Sequence, residues 1–422
     1  MSKILLFNIL GNFGVRIISI FTSFLLLPLL FVFFEDDKQL GIWLTLISYY
    51  VLISGFDFGI GGFLRNKVGF LGKNFSNDNL LDELISDYFK LINPITIILL
   101  ILIICFNNMF YYKCILLLTL THFINLRVRL ILGILNGIEK TTMSNFILSL
   151  PNLLFLFIVF YDSKFNLFNG ISNLLLFFCF CQIIPLIFFN IYYFKLYGKI
   201  LSYSLNWLGI ISLNSFYNLK PIFSFFLIQL AYLLFVNTNE LLINYKFGST
   251  YVVDFQVYNR VFSIIVMGGA LISSPLWSRL SIMIGLSQFV KIKKMYTTGL
   301  FITVIFILLI SVFMFLFTEK IISVWLGDNF SNYNNFTMVL FLIYTSILLI
   351  NFFITSFSNA LNNLKPQYYG FTIIFIIKII SVLLLKNMYN WNNLLLLNIF
   401  LLTPLMIYQF YNNLKIINYD KK

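Results

Sequence analysis

The sequence predicts an all-α integral membrane protein with about twelve transmembrane helices, and three observations carry that expectation. Hydrophobic residues make up 60% of the 422 and charged residues only 10%, with a mean hydropathy of +0.94. A soluble domain averages roughly 25% charged and 45–50% apolar residues, so this chain has too few charges to cover a water-facing surface. The apolar stretches run unbroken for about 18–25 residues, the length a helix needs to cross the hydrocarbon layer. Outer-membrane barrel strands instead alternate over about ten residues.

Taken in order, the apolar runs give spans at approximately 4–33, 40–64, 91–112, 114–136, 144–161, 170–191, 221–246, 252–276, 296–317, 335–361, 367–386 and 391–411. The first follows Lys3 and continues to Phe34. It is too long for a signal-peptide core and lacks a small-residue cleavage site, so it reads as a retained helix. The fourth and seventh carry charges and are the least regular. Cytoplasmic loops of membrane proteins concentrate Lys and Arg. With the N-terminus inside, seventeen cations fall in inner segments, at positions 3, 65, 67, 73, 90, 140, 195, 199, 220, 279, 291, 293, 294, 365, 415, 421 and 422. Six fall outside, at Lys38, Lys113, Lys164, Lys246, Lys320 and Lys386. The asymmetry places both termini in the cytoplasm and Glu35-Asp36-Asp37 outside.

The longest polar connections, about 65–90 and 192–220, are then both cytoplasmic. The second divides the chain into an N-terminal six-helix bundle (1–200), a cytoplasmic connection (201–220) and a C-terminal six-helix bundle (221–422). Leu135-Asn136-Gly137-Ile138-Glu139-Lys140 closes span four, and Leu361-Asn362-Asn363-Leu364-Lys365 closes span ten. Each puts a Leu-Asn pair and a lysine at the inner end of the fourth helix of its half, as an internal repeat would.

The formal charge of +13 would suggest nucleic acid in a soluble protein, but basic cytoplasmic loops account for it here, and no nucleic-acid partner is expected. Cys105, Cys114, Cys179, Cys181 and the single histidine, His122, are too few and too scattered for a zinc site. Neither metal, cofactor nor disulfide framework is expected.

Five cations remain inside spans: Arg16, Arg127, Arg129, Arg260 and Lys378. The acids at membrane depth are Asp57 and Glu240, with Asp254 near the outer rim. A charge at the bilayer centre costs about 2.5–3.5 kcal/mol on insertion scales and usually faces a bundle interior or a water-filled cavity. At a rise of about 1.5 Å per residue, Arg16 and Lys378 lie near mid-membrane, and Asp57, Arg127 and Arg129 lie in the inner half. Glu240 and Arg260 lie about 9–12 Å below the outer ends of consecutive spans, which makes them the expected interhelical ion pair, structural or gating. Arg127 and Arg129 diverge by about 200° around one helix, so only one can face a cavity; the other is expected to snorkel to the interface. Pairing leaves a surplus of cations, which suits an anion, and arginine can grip phosphate oxygens bidentately. Glycines 59, 61 and 62 lack the ending of a phosphate loop and read as close packing or a hinge at a helix end.

Asp57-Phe58-Gly59-Ile60-Gly61-Gly62-Phe63-Leu64-Arg65-Asn66-Lys67, after Gly41-Ile42-Trp43-Leu44-Thr45, resembles the signature of bacterial polysaccharide flippases. These are the Wzx-type O-antigen transporters of the multidrug/oligosaccharidyl-lipid/polysaccharide (MOP) exporter superfamily. Arg16, Tyr258-Asn259-Arg260, Pro275-Leu276-Trp277 and Asn362 add weaker matches along nearly the whole chain. The resemblance implies two pseudo-symmetric six-helix bundles of the MOP/MATE-like type around a cationic cavity. It also implies alternating access that carries an undecaprenyl-diphosphate-linked oligosaccharide, an O-antigen or capsule repeat unit, to the periplasmic leaflet of the bacterial inner membrane. Polymerase and chain-length proteins of the same pathway would be its partners.

The residues give this expectation their own form. Arg16, Lys378 and Arg127 or Arg129 would bind the diphosphate and sugars while the isoprenoid tail stays in membrane lipid. Asp57, Glu240 and Arg260 would couple or gate. A proton or sodium step at Asp57 or Glu240 is permitted but not required, because the membrane potential favours outward anion transfer by about 2.3 kcal/mol per charge per 100 mV. No enzyme is expected. The rival readings are a membrane-embedded O-antigen polymerase or glycosyltransferase, whose large outer loop is missing here, and a cation-coupled multidrug antiporter, which would favour acidic binding groups.

Overall fold

The computed structural model describes residues 3–34, 36–55, 57–61, 64, 68, 79–105, 111–138, 140–165, 170–197, 226–227, 230–285, 288–327, 330, 332–361, 363, 365–384 and 390–419. Among them no strand occurs. The chain folds as two compact units: Met1–Glu35 with Leu46–Leu230, and Asp36–Thr45 with Ala231–Lys422. Eight described helices are long and apolar enough to cross a membrane, and one bent pair makes a ninth.

The first unit holds α1 (Lys3–Phe33), the second half of α2 (Asp37–Ser54), α3 (Asn79–Cys105), α4 (Tyr112–Val128), α5 (Leu130–Gly137), α6 (Thr141–Phe165) and α7 (Ile171–Tyr197). Ile60, Leu64, Tyr88, Phe89, Leu126 and Leu130 form one of its buried clusters. Lipid is as apolar as leucine, so helices associate there through close packing and interhelical hydrogen bonds rather than by escape from water. The unit contains such a polar seam. Asn125 Nδ2 donates to the Tyr50 hydroxyl at 2.8 Å, Tyr50 donates to Gln182 Oε1 at 3.4 Å, and Gln182 Nε2 donates to Asn152 Oδ1 at 3.4 Å. That chain of bonds ties α2, α4, α6 and α7.

The second unit holds α8 (Asn239–Phe247), α9 (Ser249–Gly285), α10 (Phe289–Leu326), α11 (Asn335–Ala360), α12 (Lys365–Leu384) and α13 (Asn392–Tyr419). Helix α11 is its axis: 67% of its apolar stretch is buried, against 11% for α10, which leaves α10 an apolar surface suited to lipid. The start of α11 is fixed by Asn334, whose side chain accepts from Phe336 N–H at 2.8 Å and Thr337 N–H at 3.3 Å. Such an N-cap satisfies donors that the helix itself cannot. The buried Tyr258 hydroxyl accepts from Asn334 N–H at 2.6 Å and locks that cap to α9. Tyr296 packs among Phe353, Phe357 and Phe410, joining α10, α11 and α13.

Several elements depart from the sequence-based spans. The span expected over 40–64 stops at Ser54, where Gly55, Asp57 and Gly59 break the helix. The span expected over 114–136 is two helices bent by 43° at Arg129. The cause is a side chain in the ladder: Asn190 Nδ2 of α7 donates to the Val128 carbonyl at 2.6 Å. The span expected over 221–246 is interrupted by a turn at Asn237–Thr238, and α8 restarts at Asn239. Helix α10 extends well past 296–317, its 38 residues carrying Lys291, Lys293 and Lys294 near one end and Glu319 and Lys320 near the other. The connection 201–220 lies outside the described residues, as do Arg65, Lys67 and Asn362. The four cysteines are free thiols.

The two expected repeat ends do close alike, though not in the register of the Leu-Asn match. Ile138 N–H reaches Ile134 O at 3.0 Å and Lys140 N–H reaches Leu135 O at 2.8 Å. Leu361 N–H reaches Phe357 O at 2.9 Å and Asn363 N–H reaches Ser358 O at 2.8 Å. The two closing patterns match when Ile138 is set against Leu361, three residues away from the alignment of Leu135 with Leu361.

One glycine sets a close helix approach in the second unit. A Cβ at Gly41 on α2 would overlap the Ser249 carbonyl oxygen of α9. Gly41→Val is expected to lower the melting temperature in detergent, by an overpacking cost of about 1–3 kcal/mol. Gly14→Ala on α1, where nothing stands within 4 Å, is the neutral control. Equal melting of both variants would remove Gly41 from the packing argument.

Candidate functional site

In the first unit the break after α2 and the bend between α4 and α5 enclose a pocket of about 290 Å³, lined by Ser54, Asp57, Gly61, Arg129, Gly133 and Asn136 together with apolar side chains. This is at the lower end of the roughly 300–1,000 Å³ of small-molecule sites. Gly133 leaves room for the break, since a Cβ there would lie 3.1 Å from Leu64 Cβ and 3.3 Å from Gly61 O. Leu64 in turn is fully buried.

Arg129 is the cation of the pocket. Its Nη1 donates to the Ser54 carbonyl at 2.8 Å, at the C-terminal end of α2 where the helix dipole is negative. Its Nε is buried without a hydrogen-bond partner among the described residues. A guanidinium carries five N–H donors in a planar fork, so donors remain for a ligand. Among the described residues no carboxylate forms an ion pair with Arg129, although Asp57 lines the same pocket.

Asp57 is occupied differently. One carboxylate oxygen accepts from Gly59 N–H at 2.9 Å and the other from Gly61 N–H at 3.2 Å. Tyr88 donates to the Asp57 carbonyl at 3.0 Å. Phe58 and Gly59 sit at φ 52° and 81°, the left-handed region that a tight turn uses and that glycine enters freely. Asp57 is therefore a capping residue of the turn that re-enters helix, rather than an acid within a continuous span. Asp57→Asn keeps an acceptor oxygen and is expected to leave stability nearly unchanged, whereas Asp57→Ala is expected to cost about 1 kcal/mol. Thermal unfolding of the two variants checks the capping role. An Asp57→Asn protein as unstable as Asp57→Ala would show that the negative charge itself is required.

In the second unit the helical run through 231–236 stops at the Asn237–Thr238 turn and exposes the carbonyls of its last turn. Side chains take up three of them. Thr238 Oγ1 donates to Leu234 O at 2.7 Å, Asn239 Nδ2 to Val236 O at 3.1 Å, and Lys378 Nζ of α12 to Phe235 O at 2.7 Å. Lys378 Nζ also donates to Asn239 Oδ1 at 2.7 Å and to Thr238 Oγ1 at 3.2 Å, and lies 5.0 Å from the centre of the Phe235 ring. Its exposure is 0%. Asn398 Nδ2 of α13 donates to the same Asn239 oxygen at 2.9 Å. Next in sequence, buried Glu240 accepts from Gln256 Nε2 at 2.9 Å.

These placements revise several expectations. Lys378, expected to meet an anionic passenger, is enclosed and spends its three ammonium protons on three oxygens. Glu240 takes Gln256 as its partner in place of Arg260. Gln256 lies one helical turn before Arg260 on α9, so the helices are the expected ones and the register differs by a turn. The interruption at Asn237–Thr238 accounts for the shift, because a depth reckoned along an unbroken helix does not include the turn. Arg260 is half-buried on α9. Arg129, not its neighbour, lines the pocket, while the side chains of Arg16 (on α1) and Arg127 (on α4) lie outside the described residues. Asn239, Asn398 and Gln256 escaped sequence reasoning. Uncharged amides give no conspicuous signal in a composition scan, although each sits in an apolar run.

No family model matches the chain, and no curated protein matches it in sequence. Solved structures do match in shape. A multidrug resistance MATE family transporter of the MOP superfamily, in its inward-facing conformation, is similar over 95% of each chain with a TM-score of 0.74 at 12% identity. The lipid II flippase MurJ, in an inward closed conformation, is similar over 98% of this chain and 90% of its own, with a TM-score of 0.69 at 15% identity. At such identities the likeness shows the fold: the chain has the MATE/MurJ type of transporter fold, as the sequence predicts.

Proposed function

We propose that this chain is a membrane transporter that flips an undecaprenyl-diphosphate-linked oligosaccharide, an O-antigen or capsule repeat unit, from the cytoplasmic to the outer leaflet of the inner membrane. It works by alternating access and is not an enzyme. The observation that carries the reading is Arg129, a half-buried guanidinium that borders a pocket and, among the described residues, is met by a neutral carbonyl and leaves its Nε without a partner. A buried unpaired charge is costly unless something compensates it, and a diphosphate has the charge and the oxygen geometry to do so. With the orientation given by the lysine and arginine asymmetry, this pocket lies on the cytoplasmic side, where a substrate assembled in the cytoplasm is taken up. Arg16 and Arg127 are assigned to the same anion path by their depth. Among known folds, the likeness to MurJ supports a lipid-linked passenger.

The driving force follows from charge. A diphosphate carrying two negative charges gains about 4–5 kcal/mol per 100 mV on crossing the full field outward. Uniport then suffices energetically. A second reading, a multidrug antiporter, is favoured by the likeness to MATE transporters. A pocket for cationic drugs needs an available acid, and the Asp57 carboxylate accepts two backbone N–H groups here.

Purified protein in liposomes decides between them. Expected is translocation of a fluorescent undecaprenyl-diphosphate sugar, faster with the interior-negative potential on the side of origin, and no efflux of cationic dyes. Dye efflux without lipid translocation would reverse the assignment.

A further inference from the structure

The Lys378 ammonium sits in a shell of neutral oxygens of three kinds: the Phe235 carbonyl, the Thr238 hydroxyl and the Asn239 amide oxygen, at 2.7, 3.2 and 2.7 Å. Two features make this shell more than an ordinary lysine hydrogen-bonding site. It lies at an interruption of a helix inside a membrane unit, where carbonyls of the last turn are released from the ladder and the dipole end is negative. It is also supported from behind: Asn398 donates to Asn239 Oδ1, and Asn239 and Thr238 donate to the neighbouring carbonyls, so both side-chain ligands are oriented. Hard neutral oxygens converging at a broken helix are what binds monovalent metal cations in membrane transporters. An ammonium is a monovalent cation on a tether. Buried Glu240 follows Asn239 directly in the chain and is held by Gln256.

The geometry points to a monovalent-cation site whose permanent occupant is the chain's own Lys378, so that the second unit takes up no exchangeable cation while the lysine is present. The tether replaces ion binding by a covalently supplied charge, at an effective concentration no free ion matches. Removing the side chain while keeping the oxygens leaves a cage fitted to a small cation such as sodium or lithium. This inference stands on the cage alone and does not rest on the substrate proposed above.

The test is thermal unfolding of the full chain in detergent, in sodium, lithium, potassium or choline chloride at constant ionic strength. The native protein is expected to melt at the same temperature in all four. Lys378→Ala is expected to melt lower in choline and to recover in a saturable way with sodium or lithium. Lys378→Met, whose side chain fills the vacated space, is expected to melt low in every salt. A folded Lys378→Ala protein without a cation response would overturn the inference, as would failure to recover that variant folded in any of the salts. The native protein gives an independent check. Saturable stabilisation by sodium that Asn239→Ala abolishes would show that the cage exchanges cations with Lys378 in place, and the inference would fall.

Discussion

Arg129→Gln is expected to slow translocation of the lipid-linked diphosphate in liposomes by roughly 10–100-fold. A hydrogen bond to a charged group is worth about 1.5–3 kcal/mol, and each 1.4 kcal/mol is a factor of ten. Glutamine is uncharged and shorter, so it loses both the attraction and the fork that can hold two phosphate oxygens at once. Arg129→Lys keeps the charge without the fork and is expected to fall between glutamine and the native protein. The ordering matters more than the absolute rates, because a general loss of folding would depress lysine and glutamine variants alike. Elution as a single species in detergent, together with the initial rate of transfer, checks this. Glutamine and native rates that coincide would end the reading of this pocket as an anion site, whatever the passenger.

Asn239→Leu is expected to be the most destabilising single change in the second unit, at about 3 kcal/mol. Leucine matches the side chain in size, so little cavity results, but it removes the oxygen that accepts from both Lys378 and Asn398. It also removes the donor to the Val236 carbonyl. Leaving buried polar groups unsatisfied costs about 1–3 kcal/mol each, more for a charged one, and breaking the partnership of a buried charge costs about 3–5 kcal/mol when no group replaces it. The ammonium keeps two of its three acceptors, which holds the expectation at the lower end. Asn239→Asp retains the acceptor and adds an opposite charge, so it should melt above Asn239→Leu. Thermal unfolding of both variants measures this, and a leucine variant as stable as the native chain would mean that Lys378 finds other oxygens.

Both predictions concern charges that the sequence marks clearly but whose surroundings it does not. Arg129 and Lys378 stand out in any scan of the apolar runs, since a cation at that depth requires a reason. Their reasons differ, and only neighbours from distant segments decide them. Arg129 meets Ser54, 75 residues away, and Lys378 meets Phe235, 143 residues away. Asp57 was legible as an unusual acid beside glycines, yet its role as a cap needs the actual break after Ser54. The interruption at Asn237–Thr238 carries neither proline nor glycine. A reading based on apolar run length passes over it and then misjudges the register of Glu240 against α9.

Composition alone determined that this chain lives in a membrane and is helical, because so few charges cannot cover a water-facing surface and unbroken apolar runs of that length satisfy their backbone only as helices. Spacing determined roughly where the helices lie, and charge asymmetry supplied the expected orientation. What the tertiary structure decided is what surrounds each buried cation. Lys378 is enclosed by a broken helix that offers it three oxygens, while among the described residues Arg129 rests on one carbonyl beside a pocket. That difference arises from where helices break and what faces each break, and a one-dimensional pattern of apolar and charged residues does not contain it.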